Sequence, residues 1–359
     1  MKILNTSQFG KDEILRLLRE SRSKPEDVKM VVMKILDEVI DGGDRALLDI
    51  TERFDGVRLG ALAVSPEEIL DAYQLLDPSV LVALKNAKRN IEKFHKAIVS
   101  KKEKVIETVE GVKVWREFRA IEKVGLYVPG GKAAYPSTVL MLAIPAQVAG
   151  CEEITICTPP LKDGTINPAI LVAADLCGVQ NIFKVGGAQA VAALAYGTKT
   201  IPKVSKIFGP GNQFVTTAKM LVYGEVDIDM PAGPSEVEVI ADETANPAWV
   251  AADLLSQLEH GADSQALLMT FGESFAKAVI RQMREQMSGL SRKTIIAESF
   301  AKSFAVVVDS VGEACEMTNE YAPEHLEIVA KSESEILRKI KNVGSVFLGK
   351  YTSEPLGDY

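Results

Sequence analysis

Three histidines occur in the 359 residues, and one stands in NEYAPEHLEI, Asn319 to Ile328, directly after a glutamate. Glu324 and His325 are the residue types of an acid–base pair. An imidazole is the usual general base near neutral pH, and a neighbouring carboxylate can orient it or activate water. HLEIVA reads as a short strand after Pro323, and successive strand residues point to opposite faces. The two side chains therefore serve one site only if the turn before the strand brings them together. Otherwise the stretch is a turn leading into an ordinary strand. A second candidate is NPAWVAADLLSQLEHG, a helix with Asn246 as N-cap, Pro247 at its first position and Gly261 past its end. Gln257 falls on the buried face marked by Val250 and Leu254, and His260 follows three residues on. A buried carboxamide needs partners. Those are a metal ion, or ordinary hydrogen-bonding groups with His260 serving the helix end. His95 lies among lysines on a long helix and reads as structural. Cys151, Cys157, Cys177 and Cys315 are dispersed, form no CxxC, and read as reduced thiols.

These residues need elements to hold them. Composition is that of a soluble globular chain, 47% hydrophobic and 25% charged, and a net charge of −8 argues against nucleic acid as partner. No apolar run approaches the roughly 20 residues of a membrane span, and the N-terminus lacks a signal-peptide pattern. Residues up to about 100 read as helical. Val28, Val31, Val32, Ile35, Leu36, Val39 and Ile40 repeat at helical spacing, from Pro25 to a stop at Gly42. SPEE offers a capping box at Ser65 and Glu68. From about Glu122 the pattern changes to four strand-then-helix units, KVGLYV, EITICT, NIFKVGG and KIFG each preceding a helical run. They predict a parallel sheet with helices on both faces. VEVIAD, QALLMTFG and SFAVVV begin a second series, to which the early helices are candidates to add. The loops YVPGGKAAYPS, VGGAQAV, GPGNQFV and PAGPSE are glycine-rich and suit a ligand crevice at strand ends. No G-x-G-x-x-G follows the first strand, so the standard dinucleotide fingerprint is missing.

The motifs TERFDGV, GLYVPGGKAAYPSTVLMLAIPAQVAG, VGGAQAVAALAYGT, KIFGPGNQFVTTAK, DMPAGPSEV, DLLSQLEHGADSQ, NEYAPEHLEI and SEPLGDY occur in this order. Together they closely resemble histidinol dehydrogenases. The resemblance implies an α/β fold of two Rossmann-like doubly wound parallel sheets with a helical N-terminal extension. It implies oxidation of L-histidinol to L-histidine through an aldehyde stage, with two NAD and zinc, in a cytoplasmic homodimer of histidine biosynthesis. By motif, Tyr127, Gln189 and Asn212 correspond to NAD contacts and Ser235 to a substrate contact. Gln257, His260 and Asp358 correspond to zinc ligands that also meet substrate. Glu324 and His325 correspond to the catalytic pair, with His325 as base and substrate contact and Glu324 activating water. The expected division is an arm at 1–25, a first Rossmann-like domain from 26–121 with 237–359, and a second at 122–236. Histidinol dehydrogenases continue past GDY with a further zinc-ligating histidine and a substrate-binding glutamate. The expectation is that these 359 residues alone bind NAD but bind zinc and histidinol poorly. The alternatives are a shortened homologue acting as a non-catalytic nucleotide-binding or dimerising protein, and a dehydrogenase of another amino alcohol.

Overall fold

The computed structural model describes residues 1–21, 28–99, 103–130, 134–231 and 235–357. Its strands in chain order are β1 (Lys2–Asn5), β2 (Ile106–Val109), β3 (Val112–Val114), β4 (Lys123–Tyr127), β5 (Glu153–Thr158), β6 (Asn181–Lys184), β7 (Lys206–Phe208), β8 (Asp227–Ile228), β9 (Glu236–Ala241), β10 (Gln265–Thr270), β11 (Phe304–Val307), β12 (His325–Val329) and β13 (Ser345–Leu348). They serve two compact units, Met1–Lys24 with Gly233–Gly357, and Pro25–Ala232.

The first unit holds a six-stranded parallel sheet in the order β1-β11-β10-β9-β12-β13. Its central strands are buried on both faces: QALLMT reads as a near-continuous apolar run, while EVEVIA alternates glutamate with valine and still buries Glu238 among its apolar neighbours. Val237 and Val239 face one core with Leu254 of the helix Pro247–Leu258, while Ile240 faces another with Leu267 and Tyr321. Strand order reverses between β9 and β12, which makes their shared end the switch point of the sheet.

The second unit holds a five-stranded parallel sheet in the order β6-β5-β4-β7-β8, joined by the helices Pro136–Ala149, Pro168–Leu176, Gly187–Tyr196 and Gln213–Val222. The four strand-then-helix units are thus present, with the switch point between β4 and β7. Ser65 and Glu68 form the anticipated capping box.

The early residues depart from expectation. The arm is not wholly helical: β1 pairs in parallel with β11 at the sheet edge, ahead of the helix Lys11–Ser21. The helix expected to stop at Gly42 does break there, at the non-helical Gly43 with φ 53, ψ −134, and a second helix runs on from the break to Asp55. Pro25 lies outside the described residues. That helix and the helices Pro66–Leu75 and Pro78–Ile98 bury Ile35, Ala72 and Leu84 against the 122–236 elements, not against the 237–359 elements as expected. An unanticipated hairpin, β2–β3, follows them.

Glu238, on the central strand β9, is fully buried and accepts a 2.5 Å hydrogen bond from the Thr318 hydroxyl. Burial raises its pKa from 4.5 to about 8. The acid is neutral in the fold and ionised in the unfolded chain above its ordinary pKa. Its contribution is therefore complete at low pH and lost as pH rises through about 8. Glu238→Gln cannot ionise. Denaturant titrations at about pH 5 and about pH 8 should show the wild type losing stability relative to this variant as pH rises. A pH-independent difference contradicts the assignment.

Candidate active site

Glu324 and His325 lie at the N-terminal edge of the six-stranded sheet, where β12 runs between β9 and β13. His325 sits beside Val237 on one side and Ser345 on the other. The helix Val311–Tyr321 ends at Ala322 with φ 53, the one non-glycine at positive φ among the described residues. That conformation costs an alanine about 1 kcal/mol, and the turn after it is held by its neighbours. Gly344 N–H donates to Pro323 O at 3.2 Å, and Ser345 N–H to Glu324 O at 3.0 Å. A Cβ on Gly344 would lie 2.5 Å from the Glu324 carbonyl oxygen, so only glycine lets β13 start this close. The turn does what strand alternation would not: Glu324 Oε2 stands 3.8 Å from His325 Nδ1. The same oxygen accepts from Glu236 N–H at 3.3 Å.

His325 Nδ1 is 3.1 Å from the Glu236 carbonyl oxygen. A carbonyl can only accept, so Nδ1 carries the hydrogen and Nε2 of the neutral ring presents its lone pair. Nε2 lies 3.7 Å from Glu354 Oε1. Glu354 belongs to a short 3-10 turn, Glu354–Gly357, and has no counterpart among the residues singled out from sequence. Its backbone N–H donates to Glu327 Oε1 at 2.8 Å. Glu327 is fully buried on β12, two residues beyond His325 and hence on the same face. Burial, and then the neighbouring Asp253 carboxyl, push Glu327 well above the carboxylate range; burial likewise raises Asp253. Two carboxyls in contact do not both ionise, so the pair shares one proton.

Asp253 and Gln257 stand one turn apart on the helix Pro247–Leu258. Asn246 caps it as anticipated, its side-chain oxygen accepting from Ala248 N–H at 2.9 Å, although the helix ends three residues before Gly261. Gln257 is buried. His260 keeps an exposed face, yet desolvation pulls its pKa below the ordinary imidazole value, the charge of Glu259 opposing. A carboxamide oxygen and a neutral imidazole suit zinc as two of its usual four ligands. Among the described residues no cluster of three or more His, Cys, Asp or Glu side chains completes such a site. Asp358 lies outside the described residues. Ser235 immediately precedes Glu236, and its carbonyl accepts from Gln265 N–H at 3.1 Å.

The second unit brings together three of the four glycine loops. YVPG follows β4, VGGAQ follows β6 and GPGNQ follows β7, all at the C-terminal edge, while residues 131–133 of the first loop lie outside the described residues. PAGPSE instead precedes β9 in the first unit, and its residues 232–234 lie outside the described residues. Tyr127 ends β4, and its hydroxyl oxygen accepts from Gly187 N–H at 3.1 Å. Burial raises the phenol pKa to about 12, so it stays protonated. Gln189 is buried just inside the helix that Gly187 opens. Asn212 caps the helix Gln213–Val222, its side-chain oxygen accepting from Phe214 N–H at 3.0 Å and Val215 N–H at 3.2 Å. Two helix N-termini thus open onto the β4/β7 switch point, which suits an anionic ligand. Burial raises all four cysteine pKa values, so none, Cys151 included, is an activated thiolate.

Two doubly wound parallel sheets, one edged by the Glu324–His325 pair and the other by glycine turns, define an α/β protein with two Rossmann-like sheets. The histidinol dehydrogenase family model matches residues 18–359. The histidinol dehydrogenase of Bacteroides thetaiotaomicron is 51% identical over 353 residues, covering 98% of this chain and 82% of the relative. That of Methanocaldococcus jannaschii is 48% identical over 359 residues, covering 100% of this chain and 83% of the relative. The crystal structure of histidinol dehydrogenase from Elizabethkingia anophelis superposes with a TM-score of 0.94 at 46% identity, covering 100% of this chain and 82% of that one. The chain belongs to the histidinol dehydrogenase family.

Glu327 is the anchor of the Glu354 turn, which sets a test. Glu327→Gln keeps an oxygen acceptor for the Glu354 N–H and a donor toward Asp253, and hydrogen exchange at Glu354 should match wild type. Glu327→Ala removes the acceptor and should deprotect that amide about tenfold. Equal protection in both variants contradicts the anchoring.

Proposed function

We propose that this chain oxidises L-histidinol to L-histidine by way of the aldehyde, with NAD as hydride acceptor in both oxidations. Family membership supports the reaction class, and the fixed His325 ring beside Glu324 is the observation that carries the mechanism. His325 Nε2 takes the carbinol proton as the carbon gives up hydride. Glu354 stands beside the imidazolium that results and stabilises its charge. Glu324 then removes a proton from water as that water attacks the aldehyde carbon, and the His325 imidazolium gives its proton to the carbonyl oxygen, which forms the hydrate and leaves His325 neutral. His325, deprotonated again, takes the hydrate's hydroxyl proton in the second oxidation. Each oxidation removes two electrons and one proton to the base.

Gln257, His260 and Asp358 are the residues we assign to zinc, which when bound supplies a Lewis acid that holds the amino alcohol. Ser235 is assigned to substrate, and its position next to the Glu236 backbone, which contacts both members of the pair, supports that reading. Tyr127, Gln189 and Asn212 are assigned to NAD, with the Asn212 NH₂ left to donate because its oxygen caps the helix. A cytoplasmic location fits four free cysteines, and among the described residues no helix is long and apolar enough to cross a membrane. A homodimer is inferred from the β2–β3 hairpin, which exposes Ile106, Val109, Val112 and Val114 and is followed by an exposed Trp115. A lone two-stranded hairpin is marginal in water, and a second copy of the chain would cover this surface.

Kinetics on the full-length protein separate the roles. His325→Asn should lower histidinol oxidation about 10²-fold or more, the usual contribution of a positioned base. Glu324→Gln should leave the first hydride transfer nearly intact and slow NADH formation from histidinaldehyde by a similar factor. Chelation should abolish histidinol binding, and zinc should restore it. Wild-type turnover by His325→Asn would overturn the mechanism.

A further inference from the structure

Gly209, at the end of β7, has φ +124, and a Cβ there would stand 2.1 Å from the Tyr127 carbonyl oxygen. The turn into the helix Gln213–Val222 therefore presses against the end of β4. Both backbone polar groups of Gly209 are taken up by side chains. Its N–H donates to Asp229 Oδ2 at 2.8 Å, and its carbonyl accepts from Lys219 Nζ at 2.9 Å. Lys219 and Asp229 also form an ion pair with each other. Lys219 is only 2% exposed, among the buried residues of its helix. A buried ion pair is poor value for stability alone, because apolar residues of similar volume commonly do as well. Here its hydrogen bonds converge on the backbone of one glycine, in the GPGNQ turn that carries Asn212 three residues on.

We propose that Lys219 and Asp229 are positioning residues for the dinucleotide. Acting through the Gly209 backbone, they hold the GPGNQ turn so that Asn212 and the N-terminus of the helix Gln213–Val222 face the cofactor. The inference rests on the reading of this crevice as the NAD site. It extends that reading to two residues that do not themselves need to touch NAD.

Equilibrium titration of the full-length protein with NAD⁺ tests it, with melting temperature followed in parallel. Lys219→Met leaves the partly exposed Asp229 charge without its lysine and is the variant at risk of not folding. The paired change Lys219→Met with Asp229→Asn removes both charges and keeps an oxygen for the Gly209 N–H. That variant should melt close to wild type and bind NAD⁺ about tenfold more weakly, the loss expected for one positioning hydrogen bond. In turnover the loss should fall on KM for NAD⁺ rather than on kcat. Asp229→Asn alone should weaken binding less. Wild-type affinity in a folded variant lacking Lys219 overturns the proposal. If wild-type protein itself does not bind NAD⁺, the reading of the crevice fails, and the proposal with it.

Discussion

The chemistry proposed at the sheet edge depends on one hydrogen bond, from His325 Nδ1–H to the carbonyl of Glu236. It decides which ring nitrogen carries the proton, and it aims Nε2 away from β9. The bond exists because β9 and β12 are neighbours in parallel register, with His325 against Val237. The Glu236 N–H, from the same residue, fixes the Glu324 carboxylate. A single residue at the start of β9 therefore orients both members of the pair. The left-handed Ala322 and the bare Gly344 are the backbone conditions that let Glu324 turn toward its neighbour.

Buried charge is handled differently in the two units. In the first, Glu327 and Asp253 are kept below full ionisation by sharing a proton, and Glu327 uses an oxygen to dock the turn that brings Glu354 to Nε2. In the second, Lys219 and Asp229 are paired, and both spend hydrogen bonds on a glycine turn. In each case a residue fully or almost fully out of water fixes backbone that carries a residue proposed to face ligand, Glu354 in the first unit and Asn212 in the second. The two sites also use opposite ends of their sheets. The glycine turns lie at the C-terminal edge beside the β4/β7 switch point, where ligands of open α/β sheets usually bind. The acid–base pair lies at the N-terminal edge of β9 and β12.

Features governed by local chemistry were legible in the sequence. The capping box at Ser65, the Asn246 cap and the four strand-then-helix units depend on residues a few positions apart. β1 was not legible, since KILN is too short for a period and its partner lies some 300 residues away. Nor does helical periodicity say which sheet a helix will cover, so Ile35, Ala72 and Leu84 were assigned to the wrong unit. In the site, Glu324 and His325 stood out by type and adjacency, but nothing local decided that a turn would bring them together. Glu354, Glu327 and Asp253 carry no signal of their own, because a lone acidic residue usually reads as surface. The paired burial that gives them meaning appears only once β12, the helix Pro247–Leu258 and the last turn are assembled. Lys219 was hidden likewise, as one lysine on a helix.

With only three histidines in the chain, the tautomer of His325 is directly measurable by ¹⁵N NMR, using His95 and His260 variants for assignment. The mechanism requires a protonated Nδ1 and a bare Nε2 in the neutral ring. The opposite tautomer, with hydrogen on Nε2, would contradict it, because the nitrogen facing substrate would then have no lone pair with which to take a proton.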